Sequence, residues 1–575
     1  MALRTPMLSS LPKEIISIIC WSTIEKKHFN ELSKELLSLA LACRSTSEPA
    51  LDVIWHTLLS IWPLLHLLPD DLRAFRRIEE SEDRELDCMM RHLDIPQEEL
   101  VFSREPTPDD FTRWTKYSSR VRRVHDLASF NVMRMDLEFL SPSVYDMLQA
   151  HCPQPFLPNL RSLSCREGEF GIGDAVVLPV CFYFARPLKA VTLALATHPD
   201  PDHLQDIIRR LSLVAPHVET LKLTKGRLSC LQGIDIAQLS QLTSFIGQEV
   251  LIASDAILAL GRLPHLQKVH VQPRAEPGDW DELPRERRDG FFAALQELDL
   301  VARNDTHKYC ITLLKTIAPT SLYSVMLDLR WPHRNNLAEA LLTGFTAALG
   351  AMPCPSTLHH ITICVGTSDW SDGNIYRSPC FAPLLALPAL RSLQVLGSPK
   401  VIVDDPTLDA MARAWTALHM LNFEWPPANL NLGWYSENMT YRAPRTDDAD
   451  CPCAMLAGLV PLVRRCAGLR VLAVALDMRV APPRFDGLRR PPVSVDGACR
   501  VRQLRTGGCV VGDDTLAVAS FLALVLPGLR DIEYTPPSWD WERLEKVYGK
   551  LVVVRAQERD WARWNGRASK RPMSP

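Results

Sequence analysis

One short motif constrains this chain more than any other feature of its 575 residues. A Leu-Pro or small-Pro step is followed by an apolar residue, two polar residues and an alternating apolar run, as in Leu157-Pro158-Asn159-Leu160-Arg161-Ser162-Leu163. The pattern returns in Ala215-Pro216-His217-Val218-Glu219-Thr220-Leu221-Lys222-Leu223, in Leu387-Pro388-Ala389-Leu390-Arg391-Ser392-Leu393-Gln394-Val395 and in Leu526-Pro527-Gly528-Leu529-Arg530-Asp531-Ile532. The first apolar residue of each copy falls at 160, 188, 218, 242, 266, 295, 322, 358, 390, 418, 469, 501 and 529. Period-two alternation inside the motif predicts a strand, with Leu298 and Leu300 pointing inward and Asp299 outward.

The chain between copies has helical spacing. Leu204, Ile207, Ile208 and Leu211 share one face over residues 202–213. Leu408, Met411, Ala412 and Trp415 do the same over residues 405–415, where Asp405 is the expected cap and Pro406 suits the first turn. One strand and one helix cannot bury their faces alone, whereas stacked neighbours bury them on both sides.

A spacing near 28 residues with an L-x-x-L-x-L core resembles leucine-rich repeats. The resemblance implies an α/β strand-helix solenoid over residues 156–535. The residues after the strands, such as Thr224-Lys225-Gly226, do not supply a regular asparagine and favour the longer, more variable repeats of ubiquitin-ligase receptors. The step of 51 positions from Leu418 to Leu469 holds Trp425-Pro426-Pro427 and Asp447-Asp448-Ala449-Asp450 and reads as an insertion at about 424–453. Outward strand positions, one per repeat, are the candidate target-binding residues: Lys222, His270, Asp299, Thr362, Gln394 and Asn422.

Residues 1–69 have a different texture. Ser9-Ser10-Leu11-Pro12 opens a helix with Ile15, Ile18 and Ile19 on one stripe, Leu36 to Arg44 reads as a second, and Glu48-Pro49 opens a third carrying Leu51, Ile54, Trp55 and Leu58. Leu11, Pro12, Glu14, Ile15, Ile18, Ile19, Leu39, Cys43 and Arg44 resemble the F-box. Joined to the repeats, this small all-helical bundle looks like the large fungal group of F-box and leucine-rich-repeat proteins.

That resemblance implies a substrate receptor of a ubiquitin ligase. Leu11, Pro12, Ile15, Ile18, Ile19, Leu39 and Cys43 would dock a Skp-type adaptor and, through it, a cullin ligase, while the repeats hold a protein target. The alternative is a repeat scaffold whose amino-terminal helices only cap the array. Residues 70–155 read as a charged helical linker and the start of the solenoid, and residues 536–575 as a helix with a basic tail.

Composition narrows the classes. Hydrophobic residues at 47% and charged residues at 23% exclude global disorder, and a net charge of -3 gives no chain-wide field for nucleic acid or anionic lipid. Gly168-Glu169-Phe170-Gly171-Ile172-Gly173 has its glycines in the wrong order for a dinucleotide turn. Cys451-Pro452-Cys453 has no partner pair at zinc spacing, and His359-His360 lacks a second helical ligand. We therefore expect no metal, no cofactor and no catalytic residue: an adaptor, not an enzyme. The 16 scattered cysteines and the absence of a secretory start predict reduced thiols in the cytoplasm or nucleus. The apolar stretch 57–69 is too short to span a membrane.

Overall fold

The computed structural model describes residues 11–24, 29–77, 98–125, 138–140, 142–166, 180–194, 201–224, 230–231, 233–274, 290–303, 306–331, 338–353, 355–367, 375–397, 400–423, 453–480, 482, 500–507, 514–535, 542–554 and 557. Gly168–Gly173, Cys451, residues 424–452 and the basic residues of the tail lie outside them. The chain divides into two units, Met1–Arg274 and Ala275–Pro575.

The first unit begins with three helices: α1 (Lys13–Ile24), α2 (Phe29–Ala42) and α3 (Arg44–Ile54). Their core is Ile16, Cys20, Leu36, Ala40, Ala50 and Val53, with Leu11, Leu39, Leu51 and Ile54 packed against it. The third helix differs from expectation. It starts at Arg44 with extended Cys43 as its N-cap, so Pro49 lies inside it and is buried. Its buried residues are Thr46, Pro49, Ala50 and Val53, while Leu51 and Ile54 of the expected stripe pack against the core at its margin, partly buried. Leu58 belongs to a strand, Thr57–Leu58, and not to the helix.

That strand is the first rung of a parallel ladder. It pairs with Arg123–His125, and Ser162–Arg166, Ala190–Ala194, Thr220–Thr224, Ser244–Ile252 and Lys268–Pro273 follow in order, all parallel. Parallel neighbours cannot be joined by tight hairpins, so each rung needs a crossover segment. Helix Pro201–Val214 is one such crossover, and its Leu204, Ile207, Ile208 and Leu211 are all buried as their spacing predicts. A separate small sheet pairs Arg73–Arg77 antiparallel to Glu98–Phe102, which runs parallel to Glu138–Leu140. These strands occupy part of the expected helical linker, and Arg123–His125 places a rung there ahead of residue 156.

In the second unit the rungs are Glu297–Arg303, Ser324–Trp331, His360–Thr367, Ser392–Gly397, Met420–Phe423, Val471–Ala473, Gln503–Gly507 and Asp531–Thr535, again all parallel. Helices His307–Thr316, Ala338–Gly350, Asp405–Ala414, Leu459–Arg465 and Thr515–Val525 lie between them. Met420–Phe423 pairs directly with Val471–Ala473 across the longest step between motif copies. The cap of Asp405–Ala414 is Asp404, whose carboxylate accepts the Thr407 N–H at 3.0 Å. Asp405 instead accepts the Met455 N–H at 2.7 Å, fastening the helix to the segment after the insertion. Residues 542–554 are helical, and the Tyr548 hydroxyl donates to the Leu526 carbonyl at 2.9 Å.

The thirteen motif copies share one phase. In each, the strand starts two residues after the first apolar residue, and that residue is at most 5% exposed. Each such side chain contributes about 1.5–3 kcal/mol on burial, so the repeats are held by their neighbours on either side. The same backbone link recurs at the strand entries: the Arg502 N–H donates to the Arg470 carbonyl at 2.8 Å, as the Lys189 N–H does to Arg161 at 2.8 Å. By this criterion two further copies exist, because the Arg161 N–H donates to Arg122 at 2.8 Å and the Arg122 N–H to His56 at 2.9 Å. At the end of its strand Gly397 adopts φ +107°, and a Cβ there would lie 2.2 Å from the Val365 carbonyl oxygen, so only glycine fits.

Candidate protein-binding surfaces

The helical module offers apolar side chains that its own core does not use. On α1, Ile16 and Cys20 turn inward at a spacing of four, leaving Ile15 and Ile18 on the outer side at 43% and 61% exposure. On α2, Leu36 and Ala40 turn inward while Leu37 and Leu41 stand 52% and 78% exposed. Trp21 is also exposed, with its ring set edge-on to His56 at 4.7 Å.

The sequence-predicted docking residues divide by role. Ile15, Ile18 and Pro12 are exposed, and the Pro12 carbonyl accepts the Ile15 and Ile16 N–H groups at 3.0 and 3.1 Å. Leu11 and Leu39 are half-buried and pack on the core, and Ile19 is half-buried. Cys43 is half-buried, 3.1 Å from the Ser45 hydroxyl and 3.3 Å from that of Thr46. Those two hydroxyls lower its thiol to about 7. Trp21, Leu37 and Leu41 were not among the sequence candidates. Their only signal is apolar character at positions one step beyond the core residues.

The module is fastened to the ladder that follows it. Arg120 pairs with both Glu48 and Asp52 of α3, and Trp55 packs on Tyr117 with ring centroids 4.7 Å apart.

The six strand candidates occupy one equivalent position on their rungs. Lys222 sits beside Ile246, which sits beside His270. In the second unit the row runs Asp299, Met326, Thr362, Gln394, Asn422, Ala473, Arg505 and Glu533. Lys222, His270, Asp299, Thr362 and Gln394 are half-buried. Asn422 does not offer a solvent-facing amide: it is 4% exposed, and its Oδ1 has no partner among the described residues. Strand alternation fixes the side on which a residue points, not its exposure, and Ala473 beside Asn422 is buried too.

The His359 and His360 rings lie 6.3 Å apart. Both are held below the usual imidazole value, first by burial and then by the Arg391 charge. Among the described residues no group of three or more His, Cys, Asp or Glu side chains is placed to hold a metal ion, and no helix is long and apolar enough to cross a membrane.

No protein-family model matches this chain, and no curated protein matches it. Among solved structures it is similar to an internalin from Listeria monocytogenes, at 12% identity and a TM-score of 0.35, over 70% of this chain and 87% of that one. The leucine-rich-repeat-like character of the chain rests on its own ladder, where the motif phase, the parallel pairing and the crossover helices coincide.

Proposed function

We propose that this chain is the target-recognition subunit of a Skp, cullin and F-box ubiquitin ligase, with α1–α3 docking the adaptor and the ladder holding a protein target. The observation that carries the reading is the exposure of Ile15, Ile18, Leu37 and Leu41 on helices whose opposite sides already form a core. Large aliphatic side chains left in water on adjacent helices suit an apolar groove on a partner. Each contributes about 1.5–3 kcal/mol if fully covered, before the costs of association. The chain would supply position and not chemistry: ubiquitin reaches a target lysine because both are held at high effective concentration.

The test is capture of a purified Skp-type adaptor by the full-length chain. Replacing Ile15, Ile18 and Leu41 together by Ser should cut capture at least tenfold while leaving the thermal unfolding profile in place. A folded wild-type chain that captures no adaptor would end the ligase reading.

A second reading, a protein-binding scaffold with α1–α3 as a cap, is favoured by the Arg120 pairs and by the rung that follows α3 after only two residues. In that case the triple variant leaves target binding unchanged.

A further inference from the structure

We propose that the helix side of the first unit carries a docking site for an acidic amphipathic helix of a partner protein, which seats one large apolar side chain in the cavity between helices Gly233–Ile236 and Ser254–Gly261. The site is separate from the apolar side chains of α1–α3 and from the strand candidates, and the proposal stands without the ligase reading.

The cavity is built around one close approach. Gly233 opens the shorter helix against Asp255, and a Cβ there would lie 2.3 Å from the Asp255 carbonyl oxygen. The Asp255 carboxylate fixes the contact, since one oxygen accepts the Gly233 N–H at 2.8 Å and the other the Ala256 N–H at 2.7 Å. Together with these two residues, Ala237, Ser240, Ala259, Arg262, Leu263 and Pro264 line an open cavity of about 340 Å³. That volume lies at the small end of ligand clefts, about 300–1,000 Å³, and suits one anchoring side chain.

The apolar surface continues past the cavity. The Ser212 hydroxyl donates to Gln238 Oε1 at 3.1 Å, so the end of helix Pro201–Val214 rests beside Ala237. The next residue, Leu213, is 70% exposed, although Leu204, Ile207, Ile208 and Leu211 of the same helix are buried. The helix therefore packs without Leu213. A large exposed aliphatic beside an apolar cavity marks an interaction surface.

Charge selects the occupant. Arg209 and Arg210 precede Leu213 by four and three residues and so share its side of the helix. Both lean on a single carboxylate, Asp206, at 3.8 and 2.8 Å. Arg262, at the cavity, is exposed and forms no ion pair among the described residues. Asp255 is engaged by two backbone N–H groups. The rim thus has guanidinium charge to spare, which favours carboxylates on the partner and steers their approach. An amphipathic helix presents an apolar anchor on one side with acidic residues flanking it, and a side chain seated in a desolvated pocket carries most of such a contact.

The experiment uses the full-length chain and three fluorescein-labelled degenerate peptide libraries at physiological ionic strength. The first fixes a phenylalanine with glutamates one helical turn away on either side, the second replaces the phenylalanine by serine, and the third replaces the glutamates by lysine. Fluorescence anisotropy should show the first bound at least tenfold more tightly than either other. Ala237→Trp fills the cavity from an exposed position and displaces no core residue, and it should abolish that preference. Leu213→Ser should weaken it at least threefold, and reads the same surface if the tryptophan variant does not fold. Leu516→Ser, at a leucine 60% exposed on helix Thr515–Val525 of the second unit, should leave it unchanged. Circular dichroism and thermal unfolding identify the folded variants.

Equal binding of the three libraries, or a preference that survives both Ala237→Trp and Leu213→Ser in folded protein, would overturn the proposal. Two other occupants are read on the same samples. Self-association in sedimentation velocity that Ala237→Trp removes would assign the surface to a second copy of the chain. Co-sedimentation with phosphatidylserine vesicles that the same variant removes would assign it to a membrane. Either result, without a preference for the glutamate-phenylalanine library, overturns the partner-helix reading.

Discussion

Arg120 forms an ion pair with Glu48, 72 residues earlier in the chain, and so ties α3 to the turn that precedes the Arg123–His125 rung. The Arg120 side chain is only 11% exposed and also holds Asp52. Arg120→Met should lower unfolding free energy in urea by about 1–2 kcal/mol. The hydrogen bond from Arg120 pulls Glu48 below its usual range. A depressed carboxylate contributes stability above its unfolded value, about 4.3, and loses it as pH falls through the folded value. The difference between wild type and variant should therefore be full at pH 7 and shrink below about pH 4. A difference that grows on acidification would contradict the pairing.

Two neighbouring isoleucines of α1 should behave oppositely. Ile16 is 2% exposed in the core, so Ile16→Ala should cost about 2–4 kcal/mol in chemical denaturation. Ile18 is 61% exposed, and Ile18→Ala should change stability by less than about 0.5 kcal/mol. Equal losses at both positions would mean that Ile18 is covered within the chain.

Cys43, lowered to about 7 by the Ser45 and Thr46 hydroxyls, should alkylate with iodoacetamide in a pH-dependent reaction with its midpoint near 7. Burial pushes Cys152 and Cys310 up to about 12, so both should stay unmodified in the folded chain. Site-resolved mass spectrometry reads all three. Ser45→Ala should move the Cys43 midpoint upward, and a wild-type midpoint at the ordinary thiol value of about 8.5 would refute the assignment.

Asn422 buries an amide oxygen that has no partner among the described residues. Replacing an unsatisfied buried polar group by an apolar one of similar shape removes a desolvation cost. Asn422→Leu should therefore be neutral or stabilising by up to about 1 kcal/mol in thermal denaturation. A clear loss would show that the amide is satisfied after all.

The rungs were legible because the alternation of apolar residues recurs at a nearly even spacing, with a Leu-Pro or small-Pro lead at Leu160, Val218, Leu266, Leu390 and Leu529. Val121 and Trp55 lie ahead of the expected solenoid of residues 156–535, although their backbone links match the rest. The third helix was misplaced because Pro49 reads as an opening residue, whereas Cys43 already caps the helix six residues earlier. On α2, the run Leu36-Leu37-Ser38-Leu39-Ala40-Leu41 is apolar on several sides, so periodicity could not say which side packs. Which residues of different copies become neighbours was illegible for another reason. Arg470, Arg502 and Arg530 stand 32 and 28 residues apart in sequence, and only the ladder register makes them neighbours.

The direct pairing of Met420–Phe423 with Val471–Ala473 bears on how such a chain can vary. The entropic cost of a connecting segment grows only logarithmically, about 0.6 kcal/mol for each doubling of length, while a one-residue slip inside a strand turns every side chain to the wrong face. Spelling is therefore strict on the rungs and free between them. The interval after Phe423 is a position where this chain should accept foreign sequence, a reporter domain or a second recognition element, without recounting its own repeats.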